Sequence, residues 1–254
     1  EYIQGKCANN NHVTFHVVDF SFPPGFDADD IHKKNALVAR QGTKKGEGRK
    51  EWGYTQMIRF WTSTVWTHPA IQHFDTIMKM DADACFIRQR GVHFNPTYQE
   101  APGLAMEKVY QTNYDGSVGS NRQFSHGLFD FAVDYMTKYG IVPMNPKMWS
   151  IINATWHEQE VLPVFQTSFE IVRRSFIQQK MVKRWHETLT EIEPFGPFRK
   201  RWSDAQTRVF TIAFFTKQEE VLFSRSSGFL HGFKKCEENG IGQAWERVAT
   251  KEHH

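Results

Sequence analysis

The run Ile77, Met78, Met80 reads as a strand that closes on Asp81-Ala82-Asp83 before the chain reopens into Ala84-Cys85-Phe86-Ile87. Carboxylates at i and i+2 on an extended backbone point to one face. A strand ending this way delivers hard oxygen ligands to the loop edge of a sheet, where they suit Mg²⁺ or Mn²⁺ carrying a diphosphate. The same triplet also reads as a solvated acidic turn. The segments around it decide between the two.

Strand-like and helical stretches alternate along the chain. His12 to Phe20 alternates as a strand, and Phe22-Pro23-Pro24-Gly25 breaks it. Asp27 to Arg40 reads as a polar helix, and the cationic, glycine-rich Gly42 to Lys50 as a solvated loop or a flap near an anionic donor. From Trp52 through Phe60, Met57, Phe60, Trp61 and Val65 recur at helical spacing until Pro69 stops them. Gly103 to Val109 is expected to be a strand, with Tyr110 to Gln123 a polar loop after it. Phe129 to Tyr139, ended by Gly140, and Pro146 to Asn153 are expected helices. Gln166 to Ile171 reads as a short strand or turn before an amphipathic segment, Val172 to Leu189, with Phe176, Val182, Trp185 and Leu189 on one face. Ser203 and Asp204 open a helix over Ala205 to Phe215, and Val221 to Phe223 and Phe229 to His231 follow. Such alternation predicts one α/β domain over residues 1–254.

Charge narrows the partners. Thirty-one basic against 28 acidic residues give +3, too balanced for a phosphate-seeking field, so nucleic acid is not expected. Cys7, Cys85 and Cys236 match no zinc spacing. Asn153-Ala154-Thr155 is the one N-glycosylation triplet, usable only in the secretory pathway. No run of 18 apolar residues exists, so membrane attachment is expected only through a segment not in this chain; the Glu1 start fits a processed or truncated sequence.

Separated segments together resemble glycosyltransferase family 15, the fungal Golgi α-1,2-mannosyltransferases. Trp52-Gly53-Tyr54-Thr55-Gln56-Met57-Ile58-Arg59-Phe60 with His68-Pro69 is similar to the family's Tyr-x-x-Met-x-Arg-Phe helix and its following proline. Lys79-Met80-Asp81-Ala82-Asp83 stands in the place of Arg-Val-Glu-Pro-Asp, and His93-Phe94-Asn95-Pro96 in that of an aromatic-Asp-Pro turn. Ser168-Phe169-Glu170-Ile171 resembles Asn-Phe-Glu-Ile, and Arg201-Trp202-Ser203-Asp204-Ala205 resembles Arg-Trp-Gly-Asp-Ala. His231 falls where the family has a metal-binding histidine, and the resemblance runs over about residues 16–236.

What the resemblance implies is a GT-A-like single domain with a mixed central sheet flanked by helices, a GDP-mannose donor, a glycan or glycoprotein acceptor, Mn²⁺ (or Mg²⁺), and retention of configuration in the Golgi lumen. It assigns Asp81, Asp83 and His231 to the metal and Glu170 to the sugar ring, as a nucleophile or as a charge beside an oxocarbenium-like centre. Asp204 would bind the acceptor and take its proton, or merely cap its helix. Tyr54 would bond a substrate hydroxyl or phosphate, or serve as an ordinary core tyrosine. Arg59, Lys79 and Arg201 are natural phosphate partners, although Arg59 and Arg201 fit buried ion pairs equally well; Trp202 offers a stacking face, and Glu107 lies near a family acidic position.

Two departures stand out. The family's opening α/β segment, with much of the base pocket, has no counterpart before His12, so the nucleotide-binding part is expected to be missing or reduced. Asp81-Ala82 replaces Glu-Pro, which shortens one ligand by a methylene and leaves another sugar nucleotide open as donor. A binding or assembly protein without turnover is the rival of another class.

Overall fold

The computed structural model describes residues 14, 16–18, 20–27, 48–86, 108–113, 125–224 and 229–232. Helix α1 (Gly48–Thr62) passes through two 3-10 turns, Thr64–Thr67 and Pro69–Ile71, into strand β1 (Thr76–Met80), and β2 (Ala84–Phe86) follows the acidic triplet. After β3 (Tyr110–Asn113) come α2 (Leu128–Tyr139), α3 (Pro146–Gln159), β4 (Gln166–Arg173) and the single turn α4 (Arg174–Ile177). Helices α5 (Lys180–Thr190), α6 (Gly196–Arg199) and α7 (Asp204–Phe215) precede β5 (Val221–Ser224) and β6 (Phe229–His231).

Four strands form one sheet in the order β1-β4-β3-β5. Strand β4 runs antiparallel to both neighbours, whereas β3 and β5 are parallel, so the sheet is mixed, with helices packed beside it. A separate ribbon pairs β2 with β6, opposing Ala84 to His231. This is the α/β, GT-A-like architecture that the sequence predicts.

Local chemistry sets the helix ends. Gly140 closes α2 at φ 61°, its N–H donating to the Met136 and Thr137 carbonyls, a left-handed cap that glycine adopts without strain. Asn145 accepts the Met148 N–H and Pro146 takes the first position of α3, a donor-free start where no N–H is needed. Helix α7 is the keystone: all its residues but Ala205 are buried, and it contacts α1, α3, α5 and β4. Trp185 donates its indole N–H to Thr211 on α7 at 3.2 Å, inside an aromatic cluster with Phe210, Phe214 and Tyr135. A Cβ at Gly196 would fall on the Trp202 indole, so a glycine is needed where α6 meets α7.

Three expectations change. Tyr110–Asn113, read as loop, is a strand inside the sheet, because Thr112 gives its hydroxyl to carbonyls of β4 and Tyr110 gives its own to Glu170, so polar side chains are satisfied within the sheet. Val172 and Arg173 extend β4, buried on both faces, and the helical part divides at Gln178–Gln179. His12–Phe20 was expected as a strand; its described residues, 14, 16–18 and 20, carry none, and Val17 is 97% exposed on the surface. The expected elements at 28–40, 42–47, 93–96 and 103–107 lie outside the described residues.

Candidate metal and donor site

Strand β1 ends in a tight turn. The Asp81 N–H donates to the Ser168 carbonyl of β4 at 3.0 Å, and the Ala84 N–H returns to the Asp81 carbonyl at 3.0 Å, which fixes both carboxylates at the turn. Across the β2–β6 ribbon, the Gly232 N–H donates to the Asp83 carbonyl at 2.9 Å, setting His231 beside them. The His231 Nε2 lies 3.5 Å from Asp81 Oδ2 and 3.2 Å from Asp83 Oδ1. One ligand atom from each of the three falls within 4.8 Å of the others, and the side chains keep 34%, 34% and 44% of their exposure. Two carboxylate oxygens and an imidazole nitrogen on one small rim are a donor set that fits Mn²⁺ or Mg²⁺.

Behind this rim the charges are enclosed. Lys79, 4% exposed, donates to the Thr167 carbonyl at 2.6 Å and reaches Asp204 Oδ2 at 3.3 Å and Asp81 Oδ1 at 3.6 Å. Asp204 opens α7, and its Oδ1 accepts the Ala205 N–H at 3.1 Å. One helical turn on, Arg208 grips Glu170 with two nitrogens, Nη2 to Oε1 and Nε to Oε2, each at 3.1 Å. The Tyr110 hydroxyl completes the set, donating to Glu170 Oε2 at 2.8 Å. Burial, then Glu170, pushes the Tyr110 hydroxyl well above its usual range, which keeps it a donor. Burial opposes the Arg208 charge, and Glu170, Tyr110 and Asp204 outweigh it.

The site residues expected from sequence therefore separate into groups. Asp81, Asp83 and His231 come together, and Lys79, Asp204 and Glu170 lie directly behind them. Glu170 is neither a carboxylate on a soluble face nor one left open under a ring: it is 1% exposed, with both oxygens engaged. Tyr54 sits at the rim with 41% exposure; its hydroxyl is pushed up to about 12, by desolvation first, then by Asp204, with Asp81 adding to the shift and Arg201 opposing it. Arg201, whose charge is felt at Tyr54, lies in a left-handed turn at φ 61° that leads into α7.

Arg59 and Trp202 go elsewhere. The Arg59 guanidinium forks onto Glu191 at 2.8 and 2.7 Å and donates to the Ser21 carbonyl at 2.9 Å, so it is a partly buried tie between α1 and the end of α5 rather than a phosphate partner. Trp202 is 1% exposed, gives its indole N–H to the His126 carbonyl at 2.8 Å and lies 4.9 Å from Phe131, so it has no face free for a sugar. Glu107 lies outside the described residues. Sequence reasoning passed over Tyr110 and Arg208. Arg208 carries a readable signal, a cation four residues after Asp204 that leads into the largely apolar stretch Val209 to Phe215.

Two clefts lie apart from the acidic rim, one of about 210 Å³ lined by Thr64, Trp66, Lys183 and His186 among others, and one of about 430 Å³ lined by His126, Gly127, Asp130, Trp156 and Glu160. At the rim the chain leaves β2 after residue 86 and the β6 turn after residue 232 into segments outside the described residues.

No family model and no curated protein matches this sequence. Solved structures do match it in fold. Core-mannan synthase A (CmsA/Ktr4) from Aspergillus fumigatus, in its Mn/GDP form, is similar at a TM-score of 0.73 and 15% identity, over 91% of this chain and 62% of that one. The mannosyltransferase Ktr4p from S. cerevisiae in complex with GDP is similar at 0.68 and 17%, over 84% of this chain and 53% of that one, and a further Ktr4p structure at 0.70 and 17%. The chain thus spans 53–62% of the length of these structures. At such identities the likeness is one of fold, and the fold is that of the fungal mannosyltransferases which the sequence resembles.

Proposed function

We propose that this chain is a metal-dependent glycosyltransferase that moves mannose from GDP-mannose onto a hydroxyl of a glycan or glycoprotein, with retention and in an α-1,2 linkage. The observation that carries the reading is the meeting of Asp81, Asp83 and His231 within 4.8 Å at a strand end, in a fold shared with a mannosyltransferase solved with Mn and GDP. A bound Mn²⁺ (or Mg²⁺) supplies Lewis-acid stabilisation of the charge that develops on a departing nucleoside diphosphate.

The chain's own groups have distinct tasks in this reading. Asp81, Asp83 and His231 would hold the cation, which in turn would neutralise the diphosphate end of the donor. Arg201 adds positive charge beside Tyr54, which stays protonated and donates a hydrogen bond to donor or acceptor. Asp204 is the base for the attacking hydroxyl, oriented by the Ala205 N–H and by Lys79. Glu170 acts through its field rather than by forming a bond, since Arg208 and Tyr110 occupy its oxygens; retention then proceeds by attack on the face the leaving group departs from. Asn153 is exposed on α3, as a glycosylation site must be, which supports a lumenal setting in the secretory pathway, the Golgi among its compartments.

Calorimetry with Mn²⁺ and a panel of sugar nucleotides on the wild type and Asp83→Ala tests the reading. The wild type should bind GDP-mannose only with Mn²⁺, and Asp83→Ala should weaken that binding about tenfold or more. Metal-independent donor binding, or equal affinity in the variant, removes the metal assignment. A preference for another nucleotide keeps the transferase and replaces its donor, and turnover with no donor favours the binding protein.

A further inference from the structure

Among the described residues, Lys79 forms ion pairs with both the acidic rim, at Asp81, and the enclosed charges, at Asp204. It lies two residues before Asp81 on β1 and so shares a face with it, and it stands opposite Glu170 in the β1–β4 register. Helix α7 sets Asp204 and Arg208 four residues apart, on one face, against that pair. The result is a square of four charges, each 8% exposed or less: Lys79 with Asp204 and Arg208 with Glu170, sheet to helix. Inside the square two positive and two negative groups balance. Asp81 is the additional carboxylate, and Lys79 reaches it from below at 3.6 Å while holding Asp204 at 3.3 Å and the Thr167 carbonyl at 2.6 Å.

We propose that Lys79 is a positioning residue that couples the cation site to Asp204, competing with the cation for Asp81 and, as the cation gains Asp81, settling on Asp204 and the Thr167 carbonyl. The coupling rests on the metal-dependent reading above. Its physical basis is direct: a cation at Asp81 sets a like charge a few ångströms from the Lys79 ammonium, and in this enclosed place the repulsion is little screened. The ammonium has one other anionic partner among its close contacts, Asp204, and the face of Trp61 at 5.3 Å closes another side. Metal loading thereby sharpens the orientation of the carboxylate that meets the acceptor. In this role Lys79 orders the acceptor side of the reaction, and the donor phosphates are left to the rim and to Arg201.

The test measures free Mn²⁺ by electron paramagnetic resonance during titration of the full chain without nucleotide, then KM and kcat for transfer separately. Lys79→Met should bind Mn²⁺ on the order of tenfold more tightly, because a competing charge is gone, while kcat falls and the donor KM stays near that of the wild type. Lys79→Arg, which keeps the charge, should return both quantities toward wild type. Should Lys79→Met fail to fold, Lys79→Gln takes its place, with Asp204→Asn as the second arm. Asp204→Asn should weaken Mn²⁺ binding by returning Lys79 to Asp81, and that weakening should vanish in the Lys79→Gln background. Unchanged or weaker Mn²⁺ binding in the folded Lys79 variant, or an Asp204→Asn effect that survives there, overturns the coupling alone. A wild type that binds no Mn²⁺ overturns the coupling and the metal-dependent reading together.

Discussion

The turn at the end of β1 and the charge square beneath it contain the same kinds of groups and treat them in opposite ways. At the turn, Asp81, Asp83 and His231 keep a third or more of their exposure and direct three ligand atoms at one small volume. Beneath it, Lys79, Glu170 and Arg208 are closed off from water, Asp204 keeps 11% exposure at its side chain, and the four pair as Lys79 with Asp204 and Arg208 with Glu170. Exposed like charges kept close together store electrostatic potential for a ligand, whereas buried opposite charges cancel and fix the spacing of sheet and helix. An acidic residue in this fold thus takes its role from what surrounds it.

The largest effect should come from breaking the square on one side only. Arg208→Met removes the cation and leaves Glu170 buried against Tyr110, which should cost about 3–5 kcal/mol of stability in urea denaturation. Glu170→Gln should cost less, since the amide oxygen still accepts from Arg208 while its NH2 can donate to the Tyr110 oxygen. A double Arg208→Met, Glu170→Met variant with stability near the wild type would show that the pair specifies geometry rather than stability. Were Arg208→Met alone to lose less than about 1 kcal/mol, the square would not hold α7 to the sheet and the contrast with the rim would fail.

Next in size is Tyr110→Phe. It deletes one hydrogen bond to an enclosed carboxylate, for which about 1.5–3 kcal/mol is expected. The same variant tests the catalytic side of the comparison. If Glu170 works by its field, a carboxylate relieved of one donor should change kcat by a modest factor and leave donor affinity alone; trapping of a covalent sugar on Glu170 would reverse that reading.

How much of this was legible differs between the two regions for a physical reason. The rim could be read because its residues lie at short spacing on a strand end, where i and i+2 share a face, and because His231 sits in a segment whose order matches a known family. The square's pairing could not, although Lys79, Glu170 and Asp204 stand out as site residues, because its members come from β1, β4 and α7, at positions 79, 170, 204 and 208, and only the packing of α7 on the sheet brings them together. Tyr110 was hidden further by its polar neighbours Gln111, Thr112 and Asn113, which look like loop until their partners in β4 are known. Trp202 and Arg59 show the opposite error. Both lie in motif segments, yet an indole N–H satisfied by the His126 carbonyl and a guanidinium gripped by Glu191 belong to the scaffold that carries the motif.

A smaller effect separates enclosed groups from exposed ones through pH. His186 is 2% exposed on α5, and its Nε2 lies 2.9 Å from the Thr211 hydroxyl; burial, then the Arg208 charge, holds its pKa well below 6.5. The unfolded chain therefore takes up a proton near pH 6.5 that the folded chain refuses. Stability from this group is full above pH 6.5 and declines as pH falls toward the lower folded value, by at most about 1.4 kcal/mol per pH unit. His186→Asn should flatten that part of the stability profile between pH 7 and 5. A slope identical to that of the wild type would mean that the ring is protonated within the fold and that the enclosed region admits charge it has no partner for.

The smallest expected change in stability belongs to the rim, and it is the sharpest test of the contrast. Asp83→Ala removes one of two neighbouring carboxylates and one His231 contact from a partly solvated turn, so unfolding without metal should move by less than about 1 kcal/mol in either direction. Addition of Mn²⁺ should raise the wild-type melting temperature and leave that of the variant nearly unchanged, because a ligand stabilises only the state that binds it. A large loss of metal-free stability in Asp83→Ala would mean that the carboxylate holds the turn together as the enclosed charges hold α7, and the two regions would then differ in exposure but not in kind.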